Sequence, residues 1–256
     1  MPSHHVRALS LKKTKLGETD LIVTFLASDG CQVRAVAKGA RKPGSRFGGR
    51  VEPFTVADML LHTGRSLETI TEAEIVTSHA AIRSDYDRAQ AASVIADVLD
   101  KISVECQMED RLFGLACATL DAFDTAEGDT LLALVVAFLL KSMAMHGYRP
   151  QFDACVECGA AAAGETRFAL ELGGLYCEGC GGTGPDIVYL SPDARTALRV
   201  LMGAKMADVP GLGIPRDVLT DAFGVMRAFV VYHVPARLKA LALYAAEVMR
   251  DAAGSR

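Results

Sequence analysis

Four cysteines combine residue type and spacing in a way that points directly to chemistry: Cys155 and Cys158 in DACVECG, then Cys177 and Cys180 in LYCEGCG. Each Cys-x-x-Cys pair sets two sulfurs on one tight knuckle. Eighteen residues separate the pairs, within the spacing of a four-thiolate zinc site. Two knuckles give the tetrahedral S4 set that soft thiolates offer to zinc. Four protein ligands leave no open position for water, so the expected ion is one structural Zn(2+) per chain and not a hydrolytic centre. Two disulfides are the rival reading, and a nucleophilic Cys177 or Cys180 is a third. Against the disulfides, the sequence lacks a signal peptide, and Cys31, Cys106 and Cys117 lie scattered among apolar residues as small buried hydrophobes. A nucleophile would need a metal-free, reactive thiol, and no thioredoxin-like pattern surrounds either pair.

A second cluster is electrostatic. Arg34, Lys38, Arg41, Lys42, Arg46 and Arg50 fall within seventeen residues that contain no acid. Arg34 and Lys38 share strand parity, so their side chains leave one face together, and the following Gly-rich connection carries the other four beside them. Such a face suits phosphates, and its glycines allow close approach of backbone to a ligand. Phe47 offers one ring for base stacking. The rest of the chain is acidic: residues 1–78 hold 11 Lys/Arg against 8 Asp/Glu, whereas the remainder holds 16 against 23, for a net charge of −4. A basic N-terminal part in an acidic protein suggests a local anionic partner.

Other chemistries are missing. There is no Gly-x-x-x-x-Gly-Lys-Ser/Thr for ATP, and none of the six histidines begins His-x-Glu or sits in His-Glu-x-x-His. His233, among Val and Tyr, reads as a packed or surface residue and not as a general base.

Positioning these groups requires two kinds of element. His4–Lys13, Asp20–Ala27, Cys31–Lys38, Phe54–His62 and Leu67–Thr77 are Val/Ile/Leu/Thr-rich segments punctuated by Gly17, Asp29-Gly30 and Thr63-Gly64-Arg65. Five strands without an intervening helix predict a small barrel of the OB or SH3-like kind. From about Arg83 the apolar period becomes helical: Val94, Ile95, Val98, Leu99 and Ile102 form one stripe, and Leu112, Leu115, Ala116, Thr119, Leu120 and Phe123 form another. Leu131–His146 is apolar nearly all round, as a central bundle helix must be. Its ten-residue apolar run is too short to span a bilayer, which predicts a soluble protein with no membrane partner. Gly147-Tyr148-Arg149-Pro150 ends it. The hairpin Arg167–Tyr176, turning at Gly173-Gly174, can then bring the two knuckles together as a ribbon. Ser191-Pro192-Asp193 starts a helix to about Met206, a further helix spans about Arg216–His233, and Pro235 opens a last one. The expected organisation is therefore multidomain α+β: a barrel over 1–80, an all-α domain over 81–256, and a ribbon at 151–186 inserted in the latter.

In order and spacing, the segments GETDLIV (17–23), VAKGARK (36–42), SRFG (45–48), EPF (52–54) and LETITEAE (67–74) resemble the bacterial recombination mediator RecO family, as do GYRP (147–150) before Cys-x-x-Cys and GGLYC (173–177). The resemblance covers most of the chain. It implies an OB fold, an all-helical domain and an inserted four-cysteine zinc ribbon, and a non-enzymatic role in DNA repair and recombination. That role consists of binding single-stranded and double-stranded DNA, annealing complementary strands, and acting with RecR to load RecA onto DNA coated by single-strand-binding protein, whose C-terminal tail the helical domain binds. It also implies a cytoplasmic, nucleoid-associated location. Lys38, Arg41, Lys42 and Arg46 fall on the family's basic segment. With few aromatic residues in the barrel, mainly Phe25, Phe47 and Phe54, binding should run through phosphates more than through stacked bases. An RNA- or ribosome-associated OB/zinc-ribbon module remains the alternative that fold alone does not separate.

Overall fold

The computed structural model describes residues 2–103, 110–164, 166–180 and 183–254. Five strands open the chain: β1 (Ser3–Leu16), β2 (Asp20–Ala27), β3 (Gln32–Ala37), β4 (Val56–His62) and β5 (Glu68–Thr77). They close in the order β1-β2-β3-β5-β4. All pairs are antiparallel except β3 with β5, a short parallel contact of Ala35 with Glu68 and Val36 with Thr69. This is the OB arrangement, so the closed barrel expected from the period-two pattern is present. Alternation decides what fills it: Val23, Phe25, Ala35, Ala37, Ala57, Met59, Leu61 and Ile70 point inward. The connection from β3 to β4 adds Phe47 and Val51 to the same core. That corrects one expectation. Phe47 is 2 % exposed, Phe25 1 % and Phe54 8 %, so none of the three rings offers a face to a base.

The first compact unit, Met1–Ala92 with Ala96–Asp124, also contains α1 (Ala80–Ser84), most of α2 (Tyr86–Ile102) and α3 (Asp110–Phe123). Asp85 caps α2 by accepting from the Arg88 N–H. The expected stripes on α2 and α3 are buried throughout. Two non-glycine residues of this unit have left-handed backbone, Phe54 (φ 69°) and His79 (φ 44°). One side chain serves both: the Arg83 guanidinium donates to the Pro53 carbonyl and to the Ser78 carbonyl, each immediately before the strained residue.

The second unit, Ser93–Ile95 with Thr125–Arg256, is built on α4 (Asp129–Met145), whose Leu131–Leu140 run is buried on every side. Around it stand α5 (Pro192–Gly203), α6 (Arg216–His233) and α7 (Lys239–Gly254). Ser191 caps α5 through its hydroxyl, with Pro192 in the first turn. This helix stops at Gly203, and a 3-10 segment, Met206–Leu212, follows. The last helix begins at Lys239, one turn beyond Pro235. Between α4 and α5 lie β6 (Gln151–Cys155), β7 (Thr166–Ala169), β8 (Gly174–Tyr176) and β9 (Ile187–Leu190), in the order β6-β8-β7-β9. The ribbon thus has two outer strands beyond the expected hairpin. No described helix is long and apolar enough to cross a membrane. Cys31 and Cys117 are only partly buried, and burial pushes the Cys117 thiol up to about 11; Cys106 lies outside the described residues.

Candidate functional site

The four predicted sulfur ligands converge. Cys155 ends β6, and its N–H donates to Ala160 O at 2.8 Å while its carbonyl accepts from Gly159 N–H at 2.9 Å, which folds the first knuckle. Gly159 takes φ +72° there, a conformation that glycine adopts without strain. Cys177 follows β8, and Cys180 N–H returns to Cys177 O at 3.3 Å in the second knuckle. Parallel pairing of β6 with β8 joins the two, so all four Sγ atoms lie within 4.8 Å of one another. Cys158 and Cys177, on different knuckles, approach to 3.7 Å between sulfurs. Backbone N–H groups of Cys158 and Cys177 draw the Cys155 thiol down to about 6, whereas hydrogen bonding to the Cys158 and Cys177 sulfurs pushes Cys180 up to about 12. Four thiolates this close repel one another unless a cation joins them. The group can hold a metal ion.

Its platform is aromatic. Phe168 on β7 stacks on Phe152 at 5.6 Å and meets Phe229 of α6 edge-on at 5.5 Å. His233, at the end of α6, hydrogen-bonds Leu170 O through Nε2 at 2.7 Å and packs its ring on Tyr148 at 4.2 Å. The packed reading of this histidine matches those contacts.

In the first unit, Arg34, Lys38, Arg41, Lys42, Arg46 and Arg50 are all at least partly exposed, and among the described residues none forms an ion pair with a carboxylate. Arg34 leaves the outer face of β3 beside the inward residue Ala35. Lys38 follows β3 with the same parity. Arg46 lies with its guanidinium 4.9 Å from the Phe47 ring centre, and Arg50 donates to Arg46 O, so both cations are held at the surface by local contacts. The stretch that is acid-free in sequence meets an acid in space. Asp20 Oδ1 accepts from Gly39 N–H at 2.8 Å and from the Thr19 hydroxyl. The Gly39 N–H first, then the Thr19 hydroxyl, hold its carboxyl below the usual range, with Lys38 and Lys42 assisting. Arg65, in the β4–β5 turn, shares a groove with Arg34. Its only sequence cue was a lone cation in a turn, which does not reveal its neighbour. With Phe25, Phe47 and Phe54 all buried, this face can neutralise phosphates but offers no phenylalanine for base stacking.

The same halves of the chain match known proteins. Residues 1–79 match the family described as recombination protein O N terminal, and residues 83–242 match recombination protein O C terminal. The DNA repair protein RecO of Rubrobacter xylanophilus is 35 % identical over 238 residues, covering 92 % of this chain and 94 % of that protein. That of Nocardioides sp. is 36 % identical over 242 residues, covering 92 % and 96 %. That of Frankia casuarinae is 35 % identical over 244 residues, covering 94 % and 98 %.

Proposed function

Because the chain belongs to the RecO family and so to DNA repair and recombination, we propose that it is a non-enzymatic mediator that binds single- and double-stranded DNA through the outer face of its barrel and anneals complementary strands. With RecR it promotes RecA loading on DNA coated by single-strand-binding protein, and the helical domain receives that protein's C-terminal tail. It works in the cytoplasm, on the nucleoid. The domain over 1–80 holds the nucleic acid, and the domain over 81–256, with the ribbon at 151–186, serves partners.

The observation that carries this reading is the set of six surface cations, Arg34, Lys38, Arg41, Lys42, Arg46 and Arg50, unpaired with acids among the described residues, on a barrel whose phenylalanines are all inside. Annealing requires two polyanions to be brought together without base readout, and phosphate neutralisation supplies that. If all six residues engage single-strand phosphates, log K falls against log salt with a slope of about −4.

The ion we assign to Cys155, Cys158, Cys177 and Cys180 is Zn(2+), one per chain and structural. At a Zn–S distance of about 2.3 Å the tetrahedron edge is about 3.8 Å, and the Cys158–Cys177 separation of 3.7 Å fits it. When bound, the ion supplies charge to four thiolates and holds two knuckles together; the chain's own N–H groups help to keep the Cys155 thiolate ionised.

The test is annealing of complementary strands precoated with single-strand-binding protein, with and without its C-terminal tail. It should run beside binding of bare single strands by a Lys38/Lys42/Arg46→Glu variant. Tail-dependent annealing and a weakened variant with a shallower salt slope support the reading. Unchanged affinity and slope in the variant, or structured RNA outcompeting single-stranded DNA, would refute it.

A further inference from the structure

The four sulfur ligands of the ribbon are not equivalent towards solvent. Cys155 is 3 % exposed, Cys177 and Cys180 are partly buried, and Cys158 is exposed. An oxidant arriving from solution therefore meets Cys158 first. Its sulfur stands 3.7 Å from that of Cys177, nineteen residues away in the chain and on the opposite knuckle.

Backbone hydrogen bonds hold this pair together. Val156 N–H donates to Leu175 O at 2.8 Å, and these two residues lie two positions before Cys158 and Cys177 respectively. The first knuckle is closed by Gly159 N–H to Cys155 O, and the second by Cys180 N–H to Cys177 O. Arg167 Nη2 donates to Glu178 O at 3.4 Å, which ties the second knuckle to β7. None of these bonds passes through the ligand sulfurs, so the knuckles stay side by side through a change in what joins those sulfurs.

We propose that Cys158 is a hydroperoxide-reactive modification site with Cys177 as its resolving partner, so that oxidation exchanges the ion for a disulfide between the two knuckles. This rests on the zinc assignment above. The Cys158 thiolate attacks one oxygen of hydrogen peroxide, the O–O bond breaks and hydroxide leaves, which makes Cys158 a sulfenic acid. The Cys177 thiolate then attacks the Cys158 sulfur, the S–S bond forms, the S–O bond breaks and a second hydroxide leaves. Two thiolates lose two electrons in all, and the peroxide accepts both. Cys155 and Cys180 remain, too few to complete a structural zinc site, and the metal is released. The new bond spans the knuckles that the ion had joined, so the ribbon keeps its fold. Disulfides inside each Cys-x-x-Cys would leave the knuckles without that link.

The experiment titrates the full zinc-loaded chain, freed of reductant, with hydrogen peroxide. A chromogenic chelator reads released zinc, thiol titration counts free cysteines, and mass spectrometry of non-reduced peptides maps the linkage. About one zinc should appear for every ~2 thiols lost, with Cys158–Cys177 as the mapped bond. Cys117, whose thiol burial keeps protonated, should stay reduced. Amide exchange in β6 and β8 should remain within about threefold of the zinc-loaded chain. Dithiothreitol with added zinc should restore the metal. A Cys155–Cys158 or Cys177–Cys180 bond, zinc retained at ~tenfold excess peroxide, or Cys117 lost as fast as Cys158 overturns the proposal. A chain that takes up no zinc overturns the zinc assignment and the exchange together, while the peptide map still decides whether Cys158 and Cys177 react with each other.

Discussion

Phe168→Ala tests whether the ribbon and the helices of its unit form one cooperative body. Phe168 is fully buried on β7, an inner strand of the ribbon sheet, opposite Leu175 on β8 and Val188 on β9. Its ring touches Phe152 within the ribbon and Phe229 of α6, so it bridges the two parts. Removing a ring that buries about 150 Å² of apolar surface forfeits about 4 kcal/mol at ~25 cal/mol per Å². That agrees with the loss of roughly 3–5 kcal/mol typical of Phe→Ala in cores. With a urea m-value of about 2 kcal/mol/M, the midpoint for this unit should fall by about 2 M. The assay is a urea titration read by far-UV circular dichroism and, in parallel, by release of metal to a chromogenic chelator. Both transitions should move down together. A shift corresponding to less than about 1 kcal/mol would refute the reasoning, as would metal release that moves alone while helix loss stays in place.

Cys158→Ser should lower metal content from about one ion per chain to near zero and speed exchange of β6 and β8 amides, with barrel amides unchanged; metal analysis and exchange mass spectrometry read this, and retained stoichiometric metal would contradict it. Gly174→Ala should disturb the same region, because a Cβ there would collide with Val156 Cγ1 beside the first knuckle; a variant with unchanged metal affinity and melting temperature would count against it. Asp20 should titrate below the ordinary value of about 3.9, since its native pKa is depressed. Its contribution is then present above the unfolded-state value and lost as pH falls through the native one. A carbon-detected NMR titration of the carboxyl, tracked with the Gly39 amide, checks this, and a midpoint at or above about 3.9 would exclude the Gly39–Asp20 tie.

Much was legible in the sequence where the physics is local. Two Cys-x-x-Cys knuckles at the right spacing define an S4 set whatever surrounds them, and Cys155, Cys158, Cys177 and Cys180 do converge. Period-two segments separated by glycine turns foretold the barrel. The stripes from Val94 to Ile102 and Leu112 to Phe123, and the unbroken apolar run of α4, foretold the helices with their buried faces. The cap at Ser191 satisfies a helix start within three residues, so sequence distance is no obstacle there.

Tertiary structure decided whatever depends on which distant segment arrives at a given face. Parity assigns a side chain to one side of a strand, but in an irregular connection it assigns nothing, so Phe47 read as a free ring and is instead barrel core. An acid-free run of residues is not an acid-free neighbourhood: the pairing of β2 with β3 brings Asp20 to Gly39. The β3–β4 connection folds back along β1 and commits part of Arg41 to the carbonyls of another turn. The outer strands β6 and β9 form only because β7 and β8 offer edges to pair with. Sequence by itself determined which residues could bind a metal or a phosphate. Closure of the barrel and docking of the ribbon on α6 determined which of them stand free to do so, because backbone hydrogen bonding and apolar burial are satisfied between segments and not within them.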